Sequence, residues 1–152
     1  MPVSASSCRL RKGRTSEANQ IYLLTSVVDQ RIPLFIDWHL GRLVAKQFQQ
    51  AQDGGLITSL AWIVMPDHFH WLIQLHKGTL AGLMSRVKSR SSKAINTHTG
   101  QNRRVWQRGY HDRALRRADD LKTLARYIIM NPVRAGLVNK AGDYPLWDAV
   151  WL

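Results

Sequence analysis

The chain has 152 residues, 45% of them apolar, so it is long enough to bury the core of one domain and too apolar for a disordered tail. Its 22 Lys and Arg against 10 Asp and Glu give a formal net charge of +12, which favours a polyanionic partner, above all nucleic acid. A single cysteine, Cys8, excludes an intrachain disulfide and a thiolate zinc cage. No stretch is apolar enough for a membrane span or a signal peptide, so we expect a cytoplasmic protein.

The predicted elements follow a polar, basic arm at residues 1 to about 19. Apolar runs and alternation predict four strands, at residues 21–28, 56–65, 68–75 and 110–115. Apolar spacings of three and four predict three helices, which begin near residues 37, 79 and 119. Asp37 can cap the first helix, Gly54 and Gly55 end it, and Pro132 interrupts the last one.

The order of these elements predicts the fold class. Strand, helix, strand, strand, helix, strand, helix matches the split βαβ, ferredoxin-like plan. Only a short turn at Pro66 and Asp67 joins the second and third strands, so we expect them to be antiparallel. The predicted class is therefore α+β, a ferredoxin-like antiparallel sheet with helices packed on one face. No internal repeat is visible, so residues 1–152 are expected to form a single domain.

Two histidines flank Phe69 inside the third predicted strand. Side chains alternate between the faces of a strand, so His68 and His70 share a face and lie about 7 Å apart along it. That separation allows both imidazoles to bind one metal ion. Two ordinary hydrogen-bonded histidines would give the same pattern, and the motif alone does not decide between a metal site and structural histidines.

The last predicted helix offers a nucleophile and a further ligand. Tyr127 and Asn131 are four residues apart, so they share one face if the helix reaches Asn131. The phenol could attack a substrate while the amide oxygen joins the imidazoles on the ion. An Asn before Pro is also a common cap or turn residue, and Tyr127 could be a packing aromatic. Tyr110, beside His111, is the rival nucleophile.

Two basic clusters are candidate DNA contacts, and with the arm we expect them to line one DNA path. The first is a stripe on the second helix at spacings of four and three, for which a solvated face is the ordinary interpretation. The second is a polar loop around Trp106. The residues are, on the helix, Arg86, Arg90 and Lys93 and, in the loop, Arg103, Arg104 and Arg108.

Four segments carry a resemblance to a known family: WIVMPDHFHWLIQL, VWQRGYHDRALR, ARYIIMNPVRAGLV and DYPLWDAVWL. Together they are similar to the REP-associated tyrosine transposases of the IS200-like HUH endonucleases, from about Leu10 to the last residue. The resemblance implies that His68 and His70 bind a divalent metal, Mg²⁺ or Mn²⁺. It also implies that Tyr127 attacks DNA and that Asn131 completes the metal site.

The resemblance extends to the substrate. The segment Gly13, Arg14, Thr15 and Ser16 is similar to the family's segment that helps to read the foot of a DNA hairpin. The implied activity is cleavage and rejoining of single-stranded DNA at REP-type hairpins through a 5′-phosphotyrosine. Such a covalent link conserves the phosphodiester energy, and no phosphate-binding loop is present, so no nucleotide cofactor is expected. We expect a monomer rather than a dimer.

Several alternatives stay open. Imidazole ligands by themselves suit zinc, copper or iron better than magnesium, so zinc occupancy is one of them. The protein could instead be a non-catalytic basic module that binds structured nucleic acid. It could also be a phosphodiesterase that uses metal-activated water and forms no covalent adduct. The helical spacing of Tyr127 and Asn131 favours the strand-transfer enzyme over the other two.

Overall fold

The computed structural model describes residues 19–116 and 118–151. The predicted arm therefore lies outside the described residues except for Asn19, and so does the segment Gly13, Arg14, Thr15 and Ser16. The described strands are β1 Ile21–Val27, β2 Ile57–Met65, β3 His68–Leu75, β4 His111–Leu115 and β5 Trp147–Ala149. The described α-helices are α1 Trp38–Asp53, α2 Leu80–Thr99, α3 Ala118–Ile129 and α4 Asn131–Arg134. None of these helices is both long and apolar enough to cross a bilayer.

All five strands form one antiparallel sheet in the order β4-β1-β3-β2-β5. The first four strands have the predicted split βαβ arrangement, with β1 and β3 in the centre, and the α+β class is confirmed. β5 is an edge strand that the sequence analysis did not predict. It pairs with β2, Ala149 opposite Ala61. Its three residues are too few to show a period of two.

α1 and α2 pack on the face of the sheet opposite the two histidines. Phe48 of α1 stacks on Trp71, with ring centroids 4.2 Å apart. Trp106 packs edge-on against Phe69 at 5.3 Å and donates a hydrogen bond from Nε1 to Oγ of Ser91 in α2. Phe69 and Trp71 alternate with His68 and His70 along β3, so this core excludes the histidines. The predicted helical layer on one face is confirmed for α1 and α2.

α3 lies on the histidine face. It lines a small cavity with the chain's last described residues, and the lining is Lys122, Ala125, Arg126, Ala149 and Trp151. Paired residues of neighbouring strands point to the same face of a sheet. Ala149 pairs with Ala61 and Ala61 with Leu72, which lies two residues after His70, so Ala149 and the helix beside it are on the histidine face. The prediction of helices on one face therefore does not hold for α3. An amphipathic pattern says which side of a helix is buried, but not which face of a sheet buries it.

Asp37 caps α1 as predicted, since its Oδ1 accepts a hydrogen bond from the His39 backbone N–H at 3.0 Å. Asp37→Ala leaves that N–H without its partner, so the free energy of unfolding is expected to fall by about 1 kcal/mol in urea denaturation. Asp53→Ala is the matched control, because Asp53 accepts from Gln49 on the exposed surface at the other end of α1. Equal losses from both variants would contradict the capping role.

Candidate active site

The two histidines stand side by side on the central strand β3. Their ring centroids are 5.0 Å apart and their planes are inclined by 77°. Thr25 of β1 and Ile63 of β2 lie opposite His70, so paired strands hold its backbone on both sides. The strand period placed both imidazoles on one face, and the structure confirms that placement.

Each imidazole is held through Nδ1. Nδ1 of His68 donates to Oδ1 of Asp67 at 2.7 Å, and Nη1 of Arg31 donates to Oδ2 of the same carboxylate at 3.2 Å. Nδ1 of His70 is 2.7 Å from Oγ1 of Thr25. A partner on Nδ1 is the usual way in which a protein orients Nε2 of a histidine toward a metal. The sequence analysis missed Asp67 and Thr25, although Asp67 directly precedes His68.

The surroundings of His70 and Asp67 determine whether each side chain is charged. Burial, then the nearby charges of His68 and Arg134, lowers the pKa of His70 to about 4. The ring is therefore neutral at physiological pH, which is the form that binds a metal. Burial acts to raise the pKa of Asp67, but His68 and Arg31 outweigh it and lower that pKa. The carboxylate thus remains charged beside His68.

Tyr127 lies in the last turn of α3, and the residue is 60% exposed. The helix does not run unbroken to Asn131, because Pro132 lacks the N–H that would continue it. Met130 nevertheless keeps dihedrals of φ −80° and ψ −2°, and the Arg134 N–H donates to its carbonyl oxygen at 3.0 Å. The backbone therefore keeps turning in the helical sense from Tyr127 through Asn131.

Arg134 joins the candidate nucleophile to the candidate metal ligand. Its guanidinium carbon is 3.8 Å from the centroid of the Tyr127 ring, and its Nη2 donates to Oδ1 of Asn131. Its positive charge also contributes to lowering the pKa of His70. The sequence analysis gave Arg134 no role. The unused signal was the helical spacing: Arg134 follows Tyr127 by seven residues, so it lies on the same helix face as Tyr127 and Asn131.

The rival tyrosine lies elsewhere. Tyr110 is 7% exposed and lines a cleft beside α2, away from the histidines. Tyr144 is also buried, donates to the Val64 carbonyl oxygen at 2.6 Å, and has its pKa raised to about 12 by burial. Tyr22 packs in the core. Of the four tyrosines in the chain, Tyr127 alone is exposed.

The histidine face presents two imidazoles, which are donors of the kind that bind a divalent metal together with oxygen ligands. No group of three or more His, Cys, Asp or Glu side chains in the described ranges is placed to hold an ion. His111 faces the same side from β4, but it is two strands from His70, about 10 Å by the usual strand spacing. The described residues therefore offer the imidazoles of His68 and His70, and Asn131 stays the candidate oxygen ligand.

The predicted DNA-contact residues fall into two separate places. The loop arginines Arg103, Arg104 and Arg108 line a cleft of about 680 Å³ against α2, which contributes Ser85, Lys88, Ser89 and Ser92. Lys88 fixes this loop by donating from Nζ to two loop carbonyls, at 2.8 and 2.6 Å. The stripe of Arg86, Arg90 and Lys93 does not line the cleft, and it lies about 100° around the helix from the serines. The structure therefore does not bring the stripe and the loop together.

The fold and the site define an α+β protein with paired histidines on a central strand and one exposed tyrosine on the covering helix. The family model described as Transposase IS200 like matches residues 16–131, and the chain belongs to this family. That match includes the histidine pair, Tyr127 and Asn131.

Relatives support a narrower grouping. The REP-associated tyrosine transposase of Escherichia coli (strain K12) is 33% identical over 85 residues, which are 56% of this chain and 50% of that protein. A Haemophilus influenzae (strain ATCC 51907 / DSM 11121 / KW20 / Rd) protein provisionally given the same name is 24% identical over 136 residues, 82% of this chain and 77% of that one. The matched part thus spans half the length of the first relative.

A solved structure shows the same fold. It is that of a REP-associated tyrosine transposase bound to a REP hairpin, and it matches 88% of this chain and 79% of its own, with a TM-score of 0.71 and 22% identity. Together with the two relatives, it confirms the resemblance that the sequence motifs indicated.

Proposed function

We propose that the protein cuts and rejoins single-stranded DNA at hairpins, with Tyr127 as the nucleophile. The observation that carries this proposal is the exposed Tyr127 on the helix that covers the histidine face, where Arg134 contacts both the Tyr127 ring and Asn131. Hairpin DNA is the proposed substrate class because the protein is strongly basic and one structural relative is bound to a REP hairpin. Membership of a transposase family supports an enzyme rather than a binding module.

The proposed reaction exchanges one phosphodiester for another. The phenolic oxygen of Tyr127 forms a bond to phosphorus while the bond from phosphorus to the 3′ oxygen breaks. The phenolic proton passes to solvent, and the departing 3′ oxygen takes up a proton to become a hydroxyl. The 5′ phosphate stays on Tyr127, and a later 3′ hydroxyl can reverse the step. A phenol, with a pKa of about 10, leaves more readily than a sugar hydroxyl, so no nucleotide cofactor is needed.

The proposed cofactor is Mg²⁺ or Mn²⁺, held by Nε2 of His68 and His70 and by Oδ1 of Asn131. When bound, the ion would polarise the phosphate and stabilise the charge that grows in the transition state. Two imidazoles alone would suit zinc, but the phosphate and water supply the oxygens that magnesium prefers. The hydrogen bonds on both Nδ1 atoms support this orientation of the rings.

The proposed path of the DNA backbone is the cleft between α2 and the loop. Replacing Arg103, Arg104 and Arg108 with glutamine is expected to weaken hairpin binding and to reduce the slope of log K against log salt by about 2 to 3, since each phosphate contact contributes about 0.9. Titrations of a labelled hairpin at several salt concentrations measure the slope.

The chain offers a matched control for that experiment. Glutamine at Arg86, Arg90 and Lys93 removes the same charge from the stripe of α2 that does not line the cleft. We expect the slope to change by less than about one unit. Equal changes in the two triple variants would mean that total charge, and not the cleft, determines binding.

One experiment tests the proposed reaction against its alternatives. The protein is incubated with Mg²⁺ or Mn²⁺ and a single strand labelled near its 3′ end, downstream of a hairpin. A tyrosine nucleophile leaves the labelled 3′ fragment joined to the protein through its 5′ phosphate, so the label migrates with the denatured chain. Cleavage without labelled protein would show a water-activating phosphodiesterase, and binding without cleavage would show a non-catalytic module.

The proposal includes the hairpin-reading segment, which lies outside the described residues. Alanines at Gly13, Arg14, Thr15 and Ser16 are expected to reduce discrimination between hairpins without stopping cleavage, as the family resemblance implies.

A further inference from the structure

Arg134 has free hydrogen-bonding capacity next to the candidate nucleophile. The side chain is exposed, and its guanidinium covers one face of the Tyr127 ring. A guanidinium has five N–H donors in its plane, and stacking uses its face rather than its edges. Asn131 accepts one of those N–H groups. Within residues 19–116 and 118–151 no second acceptor contacts the guanidinium, so among these residues its other N–H edges are open to a ligand.

No carboxylate within the described ranges neutralises this cation. The ion pairs in that part of the chain do not include Arg134, whose polar contact is with the neutral amide of Asn131. An exposed cation–π contact contributes little to stability, so packing alone is a weak reason to hold an arginine there. An unneutralised guanidinium beside a nucleophile is complementary to an anion, and a phosphodiester matches its planar N–H geometry.

We propose that Arg134 is a further catalytic residue, whose guanidinium binds a non-bridging oxygen of the phosphate that Tyr127 attacks. This inference rests on the proposed function and adds to it a direct protein contact to the reacting phosphate. The negative charge on the non-bridging oxygens is greatest around the transition state, where a fixed guanidinium stabilises it most. Because the guanidinium stacks on the Tyr127 ring, it stays close to the phosphate that the phenolic oxygen attacks.

The test compares a charged and an uncharged linkage at the cleaved position. In a methylphosphonate, a methyl group replaces one non-bridging oxygen, so the linkage carries no negative charge. Single-turnover cleavage is measured with saturating protein for the unaltered chain, Arg134→Ala and Arg134→Lys. On the ordinary phosphate, Arg134→Ala is expected to lower the rate by about 10²- to 10³-fold, the range for losing one charge-stabilising donor. Hairpin affinity is expected to stay within a few-fold.

The methylphosphonate separates a catalytic role of Arg134 from a structural one, because a structural role would give the same rate ratio on both linkages. On this linkage the ratio of the unaltered rate to the Arg134→Ala rate is expected to shrink below about tenfold, because no charge remains for the guanidinium to neutralise. Arg134→Lys keeps a point charge but not the planar fork, so its rate on the phosphate should lie between the other two. Arg126→Ala is the matched control, since Arg126 lines the cavity beside Trp151 and should leave both rates unchanged.

Two outcomes would overturn the inference and are distinguishable. The same rate ratio on both linkages would show that Arg134 does not act on the phosphate charge, while the tyrosine reaction would stand. Absence of cleavage and of covalent adduct by the unaltered chain, on any phosphate hairpin with either metal, would overturn the proposed function and this inference with it.

Discussion

Tyr127→Phe is expected to abolish the covalent protein–DNA adduct, reducing its formation by more than about 10³-fold, because it removes the oxygen that we propose attacks the phosphate. The change removes one exposed hydroxyl and keeps the aromatic ring on which Arg134 stacks. Hairpin affinity and thermal stability are therefore expected to remain unchanged. The measurement is the amount of 3′-labelled DNA that migrates with the denatured chain.

Tyr110→Phe is the matched control for the nucleophile. Tyr110 is buried against α2, so its hydroxyl cannot reach a phosphate on the histidine face without unfolding the loop. Its removal should leave the adduct intact, whatever it does to stability. An adduct that survived Tyr127→Phe and disappeared in Tyr110→Phe would keep the class of enzyme and show that the proposed nucleophile is wrong.

His68→Ala and His70→Ala are each expected to lower the cleavage rate by about 10²- to 10³-fold or more, since a bound metal contributes several kcal/mol of transition-state stabilisation. DNA affinity should be largely retained, because the proposed DNA contacts are basic residues away from the histidines. Asn131→Ala should lose less, since water can replace a neutral oxygen ligand. Binding of Mn²⁺, measured by calorimetry without DNA, should weaken in the same order as the cleavage rates.

His76→Ala controls for the loss of an imidazole from this part of the chain. His76 directly follows β3, and its Nε2 is 2.6 Å from Oγ1 of Thr58, at the far end of the strand pair. Its loss should affect neither Mn²⁺ binding nor cleavage. Normal cleavage by His68→Ala in the presence of Mg²⁺ would show that the proposed metal site is wrong.

Local patterns in the sequence determined the secondary structure of the central sheet and the pairing of the histidines. β3 begins at His68 and ends at Leu75 as predicted, because Pro66 and Asp67 form its preceding turn. The alternation along that strand placed His68 and His70 together and Phe69 in the core. Capping of α1 by Asp37 was equally predictable, since the cap and the helix are adjacent in the chain.

Only the tertiary structure decided which of these elements meet. Asp67 and Thr25 were not identified as partners of the imidazoles, and the register that sets Thr25 against His70 comes from pairing between distant segments. The sequence already favoured Tyr127 over Tyr110 through its spacing to Asn131 and the family resemblance, and only the packing showed that Tyr110 is buried and Tyr127 exposed.

The helix periodicity of the sequence shows that Tyr127, Asn131 and Arg134 share one side of a turning chain. It does not show that this side meets the histidines, because α3 could have joined α1 and α2 on the other face. Likewise, periodicity grouped Arg86, Arg90 and Lys93 but could not show that the loop arginines face the serines of α2 instead. A period is fixed by the local backbone, whereas the contact between two faces is fixed by which arrangement buries the most apolar surface over the whole chain.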